Sequence, residues 1–237
     1  MNRSVIVIIA VLLIGVGAVA FNLSSGAPAG TATIPVEFEG MDDPQRLAEL
    51  AQPVVFGNPD AAISVVEFGD YGCPACAQFM MQVKPQIDLA YGEADDVNFV
   101  FYDFPIISVH PHAFVAARAA RCADDQGEYW AYHAALFENQ GAWSLSASTP
   151  ISQLEDYAGE IGLDRDAFRA CLRSDRHAEV VSANLYLAQN LGVAGTPTVM
   201  VSDGSGSAAR LGNSFEAIRA AVEAARDTRT SGGEGGA

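Results

Sequence analysis

Two cysteines stand three residues apart in the run Cys73-Pro74-Ala75-Cys76. A disulfide across so short a span closes a tiny ring and constrains the unfolded chain little, so a purely structural role is poorly motivated. On a helix, positions i and i+3 share a face, which lets the two sulfurs meet. Pro74 suits the first helical position, where its missing N–H costs nothing. That makes Cys73 the N-cap, with its sulfur near unsatisfied backbone N–H groups and the positive end of the helix dipole. Such positions lower a cysteine pKa to roughly 3.5–7.5, and the thiolate is the species that attacks a disulfide. The spacing therefore predicts thiol–disulfide exchange, with Cys73 as nucleophile and Cys76, one turn deeper, as the thiol that resolves the mixed disulfide. A metal site and an incidental pair are the alternatives. Zinc would need two further ligands, yet neither Cys122 nor Cys171 comes in a second C-x-x-C, and the four histidines lack the usual paired spacing. No metal and no cofactor are expected. His110 and His112, which flank Pro111, read as turn or capping residues before they read as redox or binding groups.

The elements that must hold this pair are legible around it. Ile63 to Phe68 is a near-continuous apolar run with β-branched residues, as a central buried strand requires. A helix should start at the cysteines and run to about Tyr91, kinked by Pro85. Val97 to Phe104 reads as a second buried strand, giving a βαβ unit with parallel strands and a right-handed crossover. From Pro111 to Leu191 the apolar residues recur at helical spacing: Val115, Ala119 and Cys122 on one face, then Phe168, Cys171 and Leu172, then Val180, Ala183, Leu187 and Leu191. Gly192 should end the last of these helices. After Thr196-Pro197 come a short strand (198–201), a Gly/Ser turn, a strand near 208–211, and a helix from Ser214 to about Arg226. Residues 42–52 form a short leading helix, and Gly57-Asn58-Pro59-Asp60 a turn. Trp130, Phe137 and Trp143 read as packing residues.

The ends have a different character. Val5 to Phe21 carries no charge and comes after Arg3, so residues 1–23 read as a transmembrane anchor or a signal peptide, with anchoring by 4–23 favoured on length. Ala18-Val19-Ala20 is compatible with cleavage. Either way the positive-inside rule exports the chain beyond Asn22, where disulfides persist. Residues 24–40, rich in Ser, Gly, Ala, Pro and Thr, read as a flexible linker ahead of a domain at 41–227, and residues 228–237 as a disordered tail. The formal charge of −16, from 13 basic and 29 acidic residues of 237, excludes nucleic-acid binding, because no basic stretch could neutralise a phosphate backbone. It fits a solvated acidic surface, with adaptation to high salt as the other reading. Lys84 is the only lysine.

The run Glu67-Phe68-Gly69-Asp70-Tyr71-Gly72-Cys73-Pro74-Ala75-Cys76, with Gly195-Thr196-Pro197-Thr198 far downstream, resembles the DsbA-like thiol–disulfide oxidoreductases, the membrane-tethered bacterial branch of the thioredoxin superfamily. The resemblance covers about residues 54–226. It implies an α/β thioredoxin fold (β-α-β … β-β-α) with an all-helical insertion of about 80 residues, at about 110–192, preceded by the hydrophobic segment. It implies that Pro197 is a cis-proline facing the cysteines and that Thr196 pairs through its backbone with a substrate strand. Glu67 would be a buried carboxylate that assists proton transfer at Cys76. The residues agree, since Glu67 shares a strand face with Ile63 and Val65, where an unpaired charge is costly; a partner at the strand end is the alternative. Related proteins carry a structural disulfide in the inserted block, which favours Cys122–Cys171 over two buried free thiols. The implied activity is disulfide formation in reduced exported proteins. Reoxidation would come from a membrane protein of DsbB or VKOR type, with reductase or isomerase as the alternative within the same chemistry and a metal-binding C-x-x-C module outside it. The sequence departs from the best-known oxidases at Ala75, where they have a histidine that makes the disulfide strongly oxidising. The side chain of Ala75 can supply neither a charge nor a hydrogen bond, so that source of oxidising strength is missing here.

Overall fold

The computed structural model describes residues 31–204 and 208–233. The apolar segment 1–23 and the first part of the linker, 24–30, lie outside those residues, as do the last four residues of the expected tail. Among the described residues no helix is long and apolar enough to cross a membrane.

Five strands form one sheet in the order β1-β3-β2-β4-β5. The two apolar runs are its centre: β2 (Ile63–Gly69) and β3 (Val97–Asp103) lie parallel, with Glu67 opposite Phe101. β4 (Thr198–Ser202) pairs antiparallel with β2, placing Val199 opposite Glu67, and β5 (Ala208–Leu211) pairs antiparallel with β4. The edge strand β1 (Val54–Phe56) runs antiparallel to β3 and was not anticipated. Three residues are too few to show an alternation, and this strand exists because Phe99, Val100 and Phe101 offer it a ladder.

Between β2 and β3 the expected single helix is two: α2 (Pro74–Gln82) and α3 (Lys84–Tyr91). Pro85 has no N–H to continue the ladder and falls in the first turn of the second helix, so the chain breaks at Val83 rather than bending. α1 (Pro44–Leu50) precedes β1, capped by Asp43. The helical block comprises α4 (Ala113–Asp124), α5 (Tyr129–Glu138), α6 (Gln140–Trp143), α7 (Ile151–Glu160), α8 (Arg165–Ser174) and α9 (Ala178–Asn190). Gly192 ends α9 at φ 71°, with its N–H on Gln189 and that of Val193 on Ala188, the paired closure typical of a left-handed glycine stop. The buried Arg121 of α4 donates two bonds to Asp103 at the end of β3, at 2.9 and 2.6 Å, and ties the block to the sheet. One continuous core runs from Val65 and Phe99 through Phe114 and Leu136 to Phe168.

Two expectations about the ends are corrected. Residues 31–36 are not a free tether: the N–H of Ala32 donates to Asp175 and that of Val36 to Ser182, while Arg118 donates to the Ala32 carbonyl. Backbone groups make these bonds, so composition could not show them. α10 (Phe215–Gly233) passes its expected end at Arg226 and takes in residues 228–233 of the supposed disordered tail. There Thr228 and Thr230 bond back to carbonyls one turn earlier, and Arg229 donates to the Asp203 carbonyl.

Candidate active site

α2 begins at Pro74 with Cys73 in extended conformation as its N-cap, and Cys76 lies one turn in. Both cysteines are free thiols, Cys73 7% exposed and Cys76 fully buried. Pro74 and Ala75 between them face solvent. The two sulfurs differ sharply in acidity. Cys73 is drawn down from 9.0 to about 5, chiefly by the hydrogen bond Cys76 offers its sulfur; burial opposes this, and contacts with Thr196 and the N–H groups of Cys76 and Ala75 add to it. The Thr196 contribution comes from its side chain; when protonated, the Cys73 thiol also donates to the Thr196 carbonyl at 3.4 Å. Cys76 is driven the other way by burial first, then by its hydrogen bond to Cys73 and the charge of Glu67, although the Asp70 N–H donates to its sulfur at 3.5 Å. One cysteine is a thiolate at neutral pH and the other keeps its proton.

Thr196 and Pro197, half-buried, stand opposite Cys73 on the loop entering β4, and the bond between them is cis. Glu67, 2% exposed on β2, has an Oε1 with no hydrogen-bond partner. Burial raises its pKa to about 8; Lys84 opposes this and Cys73 adds to it. Lys84 is itself buried, bonded to Asp88 at 2.6 Å and lying over the rings of Phe56, Phe99 and Trp130. The chain's only lysine is thus an interior charge beneath the site. So the cysteine pair, Glu67, Thr196 and Pro197 converge in one place, although they span 130 residues of sequence.

Three residues that hold the cysteine turn were not singled out by motif. Asp70, 1% exposed, accepts from the Gly72 N–H (2.7 Å), the Ile106 N–H (2.8 Å) and His110 Nδ1 (2.8 Å). Gln140, at the start of α6, donates to the carbonyls of Tyr71 (2.7 Å) and Cys73 (2.9 Å) and so joins the helical block to the turn. His133 is fully buried and kept neutral, its pKa pushed down to about 3 by burial and Lys84, and its Nδ1 pairs with the Tyr71 hydroxyl. His110 and His112 lie in the turn ahead of α4, in keeping with their reading as turn or capping residues, although neither caps the helix through its side chain. His112 occupies the N-cap of α4 without a capping bond and sends Nε2 to the Ser146 carbonyl.

Cys122 and Cys171 are joined in a disulfide between α4 and α8. Asp125 and His177 gather beside it, the four potential ligand atoms lying within 4.8 Å of one another. In a disulfide neither sulfur carries the charge a metal ligand needs, and Asp125 is occupied by Arg176 and His177. Motif spacing could not have shown this grouping, because its members are scattered over more than 50 residues of the helical block.

The family model described as thioredoxin matches residues 49–224. Over 187 residues the chain is 33% identical to the Na(+)/H(+) antiporter NhaA 1 of Salinispora arenicola, a match covering 79% of this chain and 27% of the antiporter. The chain thus spans about a quarter of the length of its antiporter relatives. It is 30% identical over 153 residues to disulfide bond formation protein D of Bacillus subtilis, covering 64% of this chain and 68% of that protein. The crystal structure of oxidised BdbD from Bacillus subtilis superposes with a TM-score of 0.62 at 27% identity, covering 74% of this chain and 96% of that one.

Proposed function

The chain belongs to the thioredoxin family, in its DsbA-like branch, and from that premise we propose that it is an extracytoplasmic oxidoreductase that forms disulfides in exported proteins. The observation that carries this reading is the placement of the cysteine pair: Cys73 at the N-cap of α2 against Thr196, and Cys76 fully buried one turn in. In the oxidised protein a substrate thiolate attacks Cys73, the Cys73–Cys76 bond breaks, and Cys76 leaves and takes up a proton. A second substrate thiolate then attacks the substrate's own sulfur in the mixed disulfide and expels Cys73. Two electrons pass to the protein, one proton stays on Cys76, and the other is released because Cys73 leaves as a thiolate. A thiol with a pKa of about 5 is a good leaving group, and leaving-group acidity speeds that last step. The chemistry therefore runs more readily toward substrate disulfide than toward its reduction.

Glu67 is the group that moves the proton at Cys76. Near pH 7 it is largely protonated, and its unpartnered Oε1 leaves it free to relay through a water molecule. Thr196 and Pro197 receive the substrate backbone opposite Cys73. Val109 and Leu145, 65% and 86% exposed, stand on the loops carrying His110 and following α6, where they suit unfolded, apolar polypeptide. Cys122–Cys171 is a structural disulfide. Residues 4–23 anchor the protein to the membrane, as their apolar run and the preceding Arg3 suggest, and a membrane protein of DsbB or VKOR type reoxidises it. The test is incubation of the oxidised protein with a reduced, unfolded disulfide protein, alongside a measured reduction potential. Loss of substrate thiols with wild type and not with Cys73→Ser is expected. A potential near about −270 mV, the thioredoxin value, would overturn the oxidase direction in favour of a reductase.

A further inference from the structure

Ala75, exposed between the cysteines, carries no charge, yet Cys73 sits three residues from a buried carboxylate, Asp70. An unbalanced carboxylate there would oppose formation of a thiolate. The balancing group comes from the loop ahead of α4. His110 gives its Nδ1 to Asp70 Oδ2 at 2.8 Å, and its side chain is 21% exposed. Its ring is pressed against the residue preceding Cys73: a Cβ placed on Gly72 would lie 2.5 Å from His110 Cβ and 2.9 Å from Cγ. Only glycine at position 72 therefore admits the imidazole so close to the cysteine turn. We propose that His110 is the positive charge that balances Asp70 and holds Cys73 as a thiolate.

The inference rests on the exchange function and assigns a residue that sets its strength. His110 contacts no reacting atom; it acts on Cys73 through space, as a positioning residue for charge. Groups from each side act on it. Asp70, from the turn after β2, favours the imidazolium most; burial opposes; Cys73, at the start of α2, favours it further. His112, two residues on, is turned to the Ser146 carbonyl instead. The coupling is reciprocal by necessity: whatever factor the imidazolium contributes to ionising Cys73, the Cys73 thiolate contributes to protonating His110. Oxidation removes the thiolate, so His110 should bind its proton less tightly in the disulfide form.

That reciprocity gives a test on the unmodified protein. The imidazole resonances of His110 are titrated by NMR in the dithiol and disulfide forms, with assignment from His110→Gln. We expect proton affinity to be about three- to tenfold higher in the dithiol form, the scale of a neighbouring charge at a partly solvated site. The second arm is the thiolate absorbance of reduced His110→Gln against pH. Glutamine keeps an N–H for Asp70 but no charge, and about tenfold weaker ionisation of Cys73 is expected. An oxidised variant that melts like wild type excludes a folding defect. Equal His110 titrations in the two redox forms, or an unchanged Cys73 midpoint in the variant, would overturn the inference. Failure of the wild type to oxidise a reduced substrate would instead sink the functional reading, and the two failures are read in separate experiments.

Discussion

If Cys73 is a thiolate because of where it sits, pH should move both the reduction potential and the stability of the reduced protein in a defined way. The thiol falls from 9.0 to about 5, which at pH 7 means about a hundredfold more thiolate than an ordinary cysteine would show. Each proton taken up in a two-electron reduction tilts the potential by about 30 mV per pH unit. Below pH 5 both sulfurs take protons on reduction, so the slope should be about 59 mV per pH unit. Above it only Cys76 does, and the slope should halve to about 30 mV. Glu67 adds its own curvature nearer its pKa of about 8, and His110, raised above 6.5, adds more where its proton affinity differs between the redox forms, so the interval from about pH 5 to 6 is the clean window.

The same ionisation stabilises the reduced fold. A depressed pKa contributes stability that is complete above the unfolded value of 9.0, shrinks as pH falls, and is gone below about 5. At pH 7 the unscreened arithmetic gives about 2.7 kcal/mol. Solvent at the mouth of the site reduces that to about 1–2 kcal/mol. Reduced Cys73→Ser should therefore unfold at lower urea concentration than reduced wild type at pH 7, and the gap should close on acidification through pH 5. The assay is a set of urea melts beside glutathione equilibria at each pH. A thiolate absorbance midpoint near 9, a potential slope of about 59 mV throughout, or a serine penalty independent of pH would each refute the reasoning.

Replacing both Cys122 and Cys171 by alanine removes a link across 49 residues and should cost about 4 kcal/mol on the chain-entropy estimate, read as a lower midpoint in chemical unfolding. Exchange at Cys73 should survive in whatever fraction stays folded. Glu67→Gln cannot exchange a proton, so the rate at which Cys76 is released or attacks should lose its inflection near pH 8 and fall several-fold, as stopped-flow oxidation of a thiol peptide would record. Gly72→Ala drives a methyl group into His110. It should destabilise the fold by about 1–3 kcal/mol and raise the Cys73 midpoint toward that of His110→Gln; an alanine variant with an unchanged thiolate titration would show that the close packing does not matter.

How far the sequence was legible depended on the range of each interaction. The cysteine pair, Pro74 as first helical residue and the two central strands are written within a few residues of one another, so spacing and apolar runs reveal them. Resemblance added Glu67 and Thr196-Pro197, whose meeting with the cysteines no local pattern encodes. Asp70 and His110 are 40 residues apart, and Gln140 lies 67 residues from Cys73; each reads locally as an ordinary turn or helix residue. The break at Val83 shows a different limit. Proline announced a disturbance, but only packing decides whether a helix bends or starts again. The docked segment at Ala32 and Val36 is invisible for a third reason, since it is held by backbone groups that every sequence possesses.

The acidity of Cys73 also limits how much of an oxidising potential ionisation alone explains. A thioredoxin nucleophile has a pKa of about 7, so lowering it to about 5 favours the reduced form by about fiftyfold at pH 7, or about 50 mV at roughly 29.6 mV per tenfold change. Starting from about −270 mV, that arrives near about −220 mV, well short of the roughly −120 mV of the strongest oxidases in the superfamily. Ala75 supplies no further charge, and the value of about 5 arises from Cys76, Thr196 and the N–H groups of Cys76 and Ala75 against burial. A measured value near about −220 mV would therefore mean that thiolate stabilisation accounts for the whole difference from thioredoxin. A value closer to about −120 mV would require the oxidised form itself to be destabilised, and the oxidised protein would then melt below the reduced one by more than the pH-dependent part of the stability can supply.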